Sequence, residues 1–158
     1  MKTFLNFLTL LSVFLLLSCG GKEDPNKPSY GKKETIVDKT PASQRVDLTN
    51  KGVGPIKSIA LSDAIDQNMV AEGAKIYKNM CTACHKVDKK FIGPSPKGIL
   101  ERRTPEWVMN MILKPQLMVQ EDPLAKQLLI EFNGSPMANQ NLKEEEARAV
   151  LEFFRTLK

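Results

Sequence analysis

Cysteine and histidine are scarce in this chain, and their scarcity excludes a good deal. Three cysteines in 158 residues (Cys19, Cys81 and Cys84) are too few for a disulfide scaffold. The single histidine, His85, leaves a zinc site short of its fourth protein ligand. Neither sign of charge dominates: 23 Lys+Arg against 18 Asp+Glu give a net charge of +5, which is little support for nucleic-acid binding. A long apolar run is missing too. The run from Phe4 to Leu17 has eleven apolar residues in fourteen, whereas a bilayer span needs about 20. No internal repeat is visible, and no stretch of the folded part alternates apolar and polar residues as a half-buried strand does. What is present is a globular balance, 42% apolar and 26% charged, with room for one domain of ordinary size.

The first 52 residues read as something other than that domain. Lys2 and the short apolar run have the form of a secretion signal. The run closes on Leu16-Leu17-Ser18-Cys19-Gly20, which resembles a bacterial lipobox with Leu16 at −3 and the small Ser18 before the cysteine; Leu17 is bulkier than usual at −2. The resemblance implies a lipoprotein signal peptide over residues 1–18, with Cys19 as the lipidated first residue of the exported chain. An ordinary signal peptide cut nearby is the alternative. Residues 19–52, rich in Gly, Pro and charge, read as a lipidated flexible tether. Val53, Ile56, Ile59 and Leu61 restore apolar character, and residues 53–67 are expected to form an irregular arm packed on the domain of residues 68–158.

Within that domain the periodicities are helical. Asn68 can cap a helix running to about Met80, with Met69, Gly73, Ile76 and Met80 on one face. A glycine inside a helix costs about 1 kcal/mol against alanine, so Gly73 predicts a close helix crossing. Thr104-Pro105-Glu106 starts a second helix that must stop by Lys114, ahead of Pro115. Asp122-Pro123 repeats the start signal and Asn133-Gly134 supplies a stop. The last helix is expected to begin near Asn141, with Glu144 three residues on, and to carry Ala147, Val150, Leu151, Phe154 and Leu157 on one stripe. The fold class is all-α.

Cys81-Thr82-Ala83-Cys84-His85 carries the chemistry. On a helical turn, positions i, i+3 and i+4 project from one face. Two thiols can therefore add to the two vinyl groups of a haem while the imidazole reaches its iron, the c-type attachment arrangement. A thioredoxin-like redox pair would follow a strand in a βαβ pattern, and none is present. One covalent haem c is the cofactor this motif implies. With a single histidine, bis-histidine ligation is excluded by counting. The sixth position then falls to a methionine, to a weaker ligand, or to none. Met69 and Met80 flank the motif on the proximal side, and Met109 and Met111 lie inside a periodic helix where core packing is the usual role. Met118 and Met137 lie outside the clear helices, and Met137 follows the rigid Ser135-Pro136.

From about Val70 to Leu157 the chain resembles the class I cytochromes c, the small monohaem electron carriers. Gly73 and Tyr77 match the family's Gly-x-x-x-aromatic signature, and Leu151 and Phe154 its packing positions on the C-terminal helix. Gly93-Pro94 matches the loop whose proline carbonyl accepts a hydrogen bond from the proximal histidine, which would fix the tautomer of His85. Pro136-Met137 matches the distal loop and implies Met137 as the second axial ligand. Arg102, Arg103 and Trp107 resemble positions that neutralise or hydrogen-bond the haem propionates. Lys143 departs from the pattern, because the family usually starts its last helix with Thr or Ser. The implied fold has its N- and C-terminal helices crossing and short helices wrapping one haem.

A haem with both axial positions filled by protein moves electrons rather than binding small molecules. The expected function is a single-electron carrier, not an enzyme, held by lipid on a bacterial membrane and facing the periplasm. Lys86, Lys89, Lys90 and Lys97 suggest a positive collar for an acidic redox partner. A quinol-oxidising complex, a terminal oxidase, a nitrous oxide or other reductase, or a cupredoxin would fit. A haem subunit of a larger respiratory complex and a five-coordinate gas-binding cytochrome are the alternatives.

Overall fold

The computed structural model describes residues 39–158. The signal peptide, Cys19 and most of the expected tether lie outside the described residues. Five α-helices follow in order: α1 Gln67–Met80, α2 Pro105–Leu113, α3 Pro115–Glu121, α4 Pro123–Glu131 and α5 Glu144–Phe154, with one 3-10 turn at Ile99–Glu101. Among the described residues the only β pairing is an isolated parallel bridge between Asp47 and Arg103. The all-α expectation holds.

The helix starts follow from local chemistry. Thr104 Oγ1 accepts from the Trp107 N–H at 3.1 Å and Pro105 occupies the first helical position, as their sequence predicts. Asp122 Oδ1 accepts from the Ala125 N–H at 2.7 Å at the head of α4. The α1 cap is Asp66 rather than Asn68: its Oδ1 accepts from the Asn68 and Met69 N–H groups at 2.9 and 3.1 Å. A carboxylate there is also favoured by the helix dipole. Pro115 both ends α2 and begins α3, because a proline disfavours helix at the residue before it yet suits the first helical position, where no N–H is needed. Met118, expected in a loop, is consequently buried inside α3. The last helix starts at Glu144, three residues later than expected. Its cap, Lys143, has no side-chain acceptor, and its N–H instead donates to Glu146 Oε2 at 2.8 Å. Glu144, Glu145 and Glu146 in the first turn complement the dipole where a hydroxyl cap is missing.

The core is organised by the crossing of α1 and α5. A Cβ on Gly73 would lie 2.0 Å from the Ala149 carbonyl oxygen and 2.5 Å from its carbon. The two backbones therefore touch, and only glycine fits. Ala147, Val150 and Leu151 are buried beneath the crossing. Tyr77 packs its ring 5.4 Å from Phe153 and edge-on at 5.7 Å to Phe154.

The segment before α1 is more ordered than its composition suggests. Residues 53–66 form an irregular arm, one residue shorter than expected because Gln67 already opens α1, and buried Ile56 exchanges hydrogen bonds with the Asn110 side chain at 2.9 and 3.0 Å. Residues 40–52, expected to belong to the tether, are seated on the domain as well. Ala42 is buried, Asn50 Nδ2 donates to Asp122 Oδ2 at 2.7 Å, and Thr104 Oγ1 donates to the Asn50 carbonyl at 2.6 Å. Gly52, at φ 69°, passes against Met118 and Trp107 with no room for a side chain. Polar side chains of α2, α4 and the intervening loop anchor this backbone, and an apolar count does not register such ties.

The arm is also pinned to α5 through Glu152, which is 1% exposed. Its carboxylate accepts from Arg148 at 2.5 Å, Arg155 at 2.6 Å and the Asp66 N–H at 2.9 Å. Burial alone would raise its pKa. The Arg148 and Asp66 hydrogen bonds and the two guanidinium charges outweigh that and hold the carboxyl below its ordinary value. A depressed folded-state pKa contributes stability that is present above the unfolded pKa and lost as pH falls through the folded one. Glu152→Gln is expected to destabilise the fold by about 2–3 kcal/mol at neutral pH. Urea titrations across pH should show that deficit shrinking as pH falls below the ordinary carboxylate range; a deficit independent of pH would contradict the assignment.

Candidate haem site

Helix α1 delivers the attachment motif. Cys81 is its C-cap, with its N–H donating to the Tyr77 carbonyl at 2.9 Å. The chain then turns, with the Cys84 and His85 N–H groups donating to the Cys81 carbonyl at 3.1 and 2.9 Å. Tyr77 Oη donates to the His85 carbonyl at 2.8 Å, and the Gly93 N–H donates to the Cys84 carbonyl at 2.9 Å. The turn is thus clamped from both sides. Cys81, Cys84 and His85 all line one largely apolar cavity. Cys81 and Cys84 are not joined in a disulfide; burial, then the neighbouring Cys84, pushes the Cys81 thiol up to about 11. Burial, then Cys81, raises Tyr77 to about 12.

The imidazole is oriented by the loop behind it. His85 Nδ1 lies 2.7 Å from the Pro94 carbonyl oxygen. A carbonyl can only accept, so Nδ1 carries the proton and Nε2 keeps a lone pair. Gly93 leaves space for the ring: a Cβ there would lie 2.4 Å from His85 Cε1 and 3.0 Å from Nε2.

Of the six methionines considered, Met80, Met111 and Met137 reach the cavity. Met137 is half-buried on the loop between α4 and α5. Both ends of that loop turn through left-handed backbone, at Asn133 (φ 58°), Gly134 (φ 72°) and Asn141 (φ 54°). Met118 is fully buried and its sulfur accepts from the Val53 N–H at 3.0 Å, so it is committed to the arm. Met109 is buried in the core.

Arg102, Arg103 and Trp107 line the same cavity. Arg103 is 1% exposed and has no carboxylate partner among the described residues. Its Nη1 donates to the Arg45 and Arg102 carbonyls and its Nη2 to that of Ala42, with the guanidinium 5.3 Å from the centre of the Trp107 ring. Burial, then the Arg102 charge, holds its pKa below the ordinary arginine value, with the Asp47 and Asp122 carboxylates pulling the other way. The buried Nε groups of Arg102 and Arg103 have no acceptor. Two unsatisfied guanidinium N–H groups beside an apolar cavity fit a flat, apolar group carrying carboxylates. The donor set therefore fits haem. The indole N–H of Trp107 donates to Asp122 Oδ1 at 3.2 Å, so what the side chain offers the cavity is its ring.

The sequence reading missed several wall residues. Val108, Met111 and Ile112 continue the stripe begun by Trp107 on α2 and face the cavity; their helical spacing carries that signal. Ser43, which also lines the cavity, carries no local signal at all.

A small all-α domain presenting two thiols, an oriented imidazole and buried arginines around an apolar cavity is a covalent haem protein. The chain belongs to the cytochrome c family, whose model matches residues 70–158. It is similar to the solved cytochrome c from Rhodothermus marinus, with 40% identity over 66% of this chain and 89% of that one, at a TM-score of 0.64. It is also similar to an engineered form of that cytochrome bound to a carbene intermediate, with 39% identity over 66% and 89% of the two chains and a TM-score of 0.61. No curated protein matches the chain. Class I cytochrome c is therefore its class, haem c its cofactor and electron transfer its general function.

Gly93→Ala should displace the imidazole and break its bond to Pro94, at a cost of about 1–3 kcal/mol for overpacking. The expected outcome is a lowered haem content per chain and a shifted Soret band. Full loading with an unchanged spectrum would show that the ring tolerates the methyl group.

Proposed function

We propose that this chain is an exported, lipid-anchored one-electron carrier between respiratory partners, with His85 Nε2 and Met137 Sδ as the two axial ligands. The observation that supports the reading is the Nδ1–Pro94 hydrogen bond, which leaves the Nε2 lone pair available to a metal in a cavity that Met137 also lines. Haem, when bound, supplies the one-electron iron couple. Cys81 and Cys84 hold it by thioethers, so the cofactor stays with the protein outside the cytoplasm. Pro94 holds the imidazole in the ligating tautomer and raises its basicity. Met137, a soft ligand, favours the ferrous state relative to a second imidazole. Arg102 and Arg103 would face the propionates with their unpaired Nε groups, and the Trp107 ring would form part of the apolar wall beside them. With His85 and Met137 both holding the iron, no position would be left for a substrate, and the native role would be transfer rather than catalysis.

Two further elements belong to this reading. Cys19 would anchor the protein to a bacterial membrane, most simply facing the periplasm. The lysines support an acidic partner: Lys89, Lys90 and Lys97 are exposed, and Lys86 and Lys90 lie over the Phe91 and Phe132 rings at 5.0 and 4.5 Å. Phe91 and Ile92 are about half exposed beside them and near exposed Cys84, an apolar centre with a basic rim. A quinol-oxidising complex, a terminal oxidase or reductase such as nitrous oxide reductase, and a cupredoxin all fit that description.

The test is the visible spectrum of the membrane fraction from cells expressing the full chain. Expected are sharp reduced bands, a weak far-red methionine-to-ferric band that Met137→Ala abolishes, and no change under carbon monoxide; Cys19→Ser should move the signal to the soluble fraction. A wild-type protein that binds carbon monoxide would instead support the five-coordinate alternative. Separately, electron transfer to an acidic partner should slow as ionic strength rises. A rate indifferent to salt would remove the collar.

A further inference from the structure

The arm contributes more than cover. Between Ala42 and Arg45, three of four consecutive residues are fastened to two parts of the site that are remote from each other in sequence. On one side, the carbonyls of Ala42 and Arg45 take Nη2 and Nη1 of the buried Arg103. The Asp47 N–H extends this tie to the Arg102 carbonyl at 2.9 Å. On the other side, Ser43 gives its N–H to Glu131 Oε2 at 2.8 Å and its hydroxyl to Oε1 at 2.5 Å. Glu131 ends α4. Phe132, the next residue, is buried and lines the cavity, and the loop carrying Met137 follows directly. Ser43 itself lines the cavity between the two anchorages.

We propose that residues 42–45 are a positioning strap for the haem site, holding the Arg103 charge and the stem of the Met137 loop in fixed relation. This rests on the haem reading of the cavity. The physical argument concerns how Arg103 is satisfied. A carboxylate partner would cancel its charge. Backbone carbonyls satisfy the Nη groups with dipoles, and Asp47 and Asp122 act on the charge only from beyond ion-pair contact, so a net positive charge stays in place beside the cavity. A fixed cation there favours the reduced state of a bound redox group. Releasing the strap lets water reach the guanidinium and screen it, which lowers the midpoint potential, and it loosens the stem from which the distal loop springs.

Glu131 gives a test with a built-in sign control, run on the full-length, haem-loaded protein. Glu131→Ala removes both acceptors of Ser43. Glu131→Gln removes the same charge but keeps one acceptor oxygen. Loss of a negative charge near the haem would by itself raise the potential equally in both variants. The strap predicts instead that Glu131→Ala falls below Glu131→Gln. It also predicts faster amide exchange at residues 42–47 in Glu131→Ala, and loss of the far-red band at a lower pH than in wild type. Ser43→Ala changes no charge and should shift the potential downward, which keeps the test usable if Glu131→Ala does not fold. Equal potentials in the two Glu131 variants with faster exchange at 42–47, or unchanged exchange there, would overturn the strap. A wild-type protein without covalent haem absorption would overturn the haem reading itself, before any variant is compared.

Discussion

The rest of the structure depends on the contact between Gly73 and the backbone of Ala149. Two helices can approach until their main chains touch only where one of them has no side chain, and here the nearest atom that a Cβ would meet is a carbonyl oxygen that cannot move aside. That approach brings Tyr77 onto Phe153 and Phe154 and directs its hydroxyl to the carbonyl of His85. The C-terminal end of α1, and with it the turn from Cys81 to His85, is therefore positioned by a contact nearly two helical turns away. The site's proximal wall is the end of a lever whose fulcrum is a missing methyl group.

Around this crossing the molecule solves a second problem, that of polar groups in places without water. Asn110 is wholly buried and serves as a substitute strand edge for Lys51 and Ile56. Asp122 serves α4, Trp107 and Asn50 with one carboxylate. Glu152 joins α5 to the head of α1. Each of these residues reaches at least one group distant in sequence, so together they fasten the arm at points its few apolar side chains do not cover. Arg103 is the exception, since its charge is met by no carboxylate within the described residues. Its incompleteness is what connects the polar network to the cofactor.

What the sequence made legible was what is local. The i, i+3, i+4 motif, the start signals at Thr104 and Asp122, and the glycine in α1 each state their chemistry within a few residues. The cap of α1 fell two residues early because Asp66 offers a charged acceptor, and α3 escaped because Pro115 is read more easily as a stop than as a start. The placement of Met118 lay beyond spacing, since its partner is the backbone N–H of Val53, more than sixty residues away. The docking of residues 40–52 was hidden for the same reason. Its partners are single polar atoms on remote helices, and composition counts residues rather than pairings.

The separation of Gly73 from Ala149 also bears on the order of assembly. Closing a loop of some seventy-five residues is a slow, late event compared with forming α1, whereas the two thiols stand at the end of that early helix. Until α5 docks, the turn at Cys81–His85 has one open side. A group bonded to those cysteines is then held at high effective concentration while the long closure proceeds. The fold finishes around a resident it no longer has to capture, and the chemistry of two sulfur atoms takes over a task that in a non-covalent site falls to affinity.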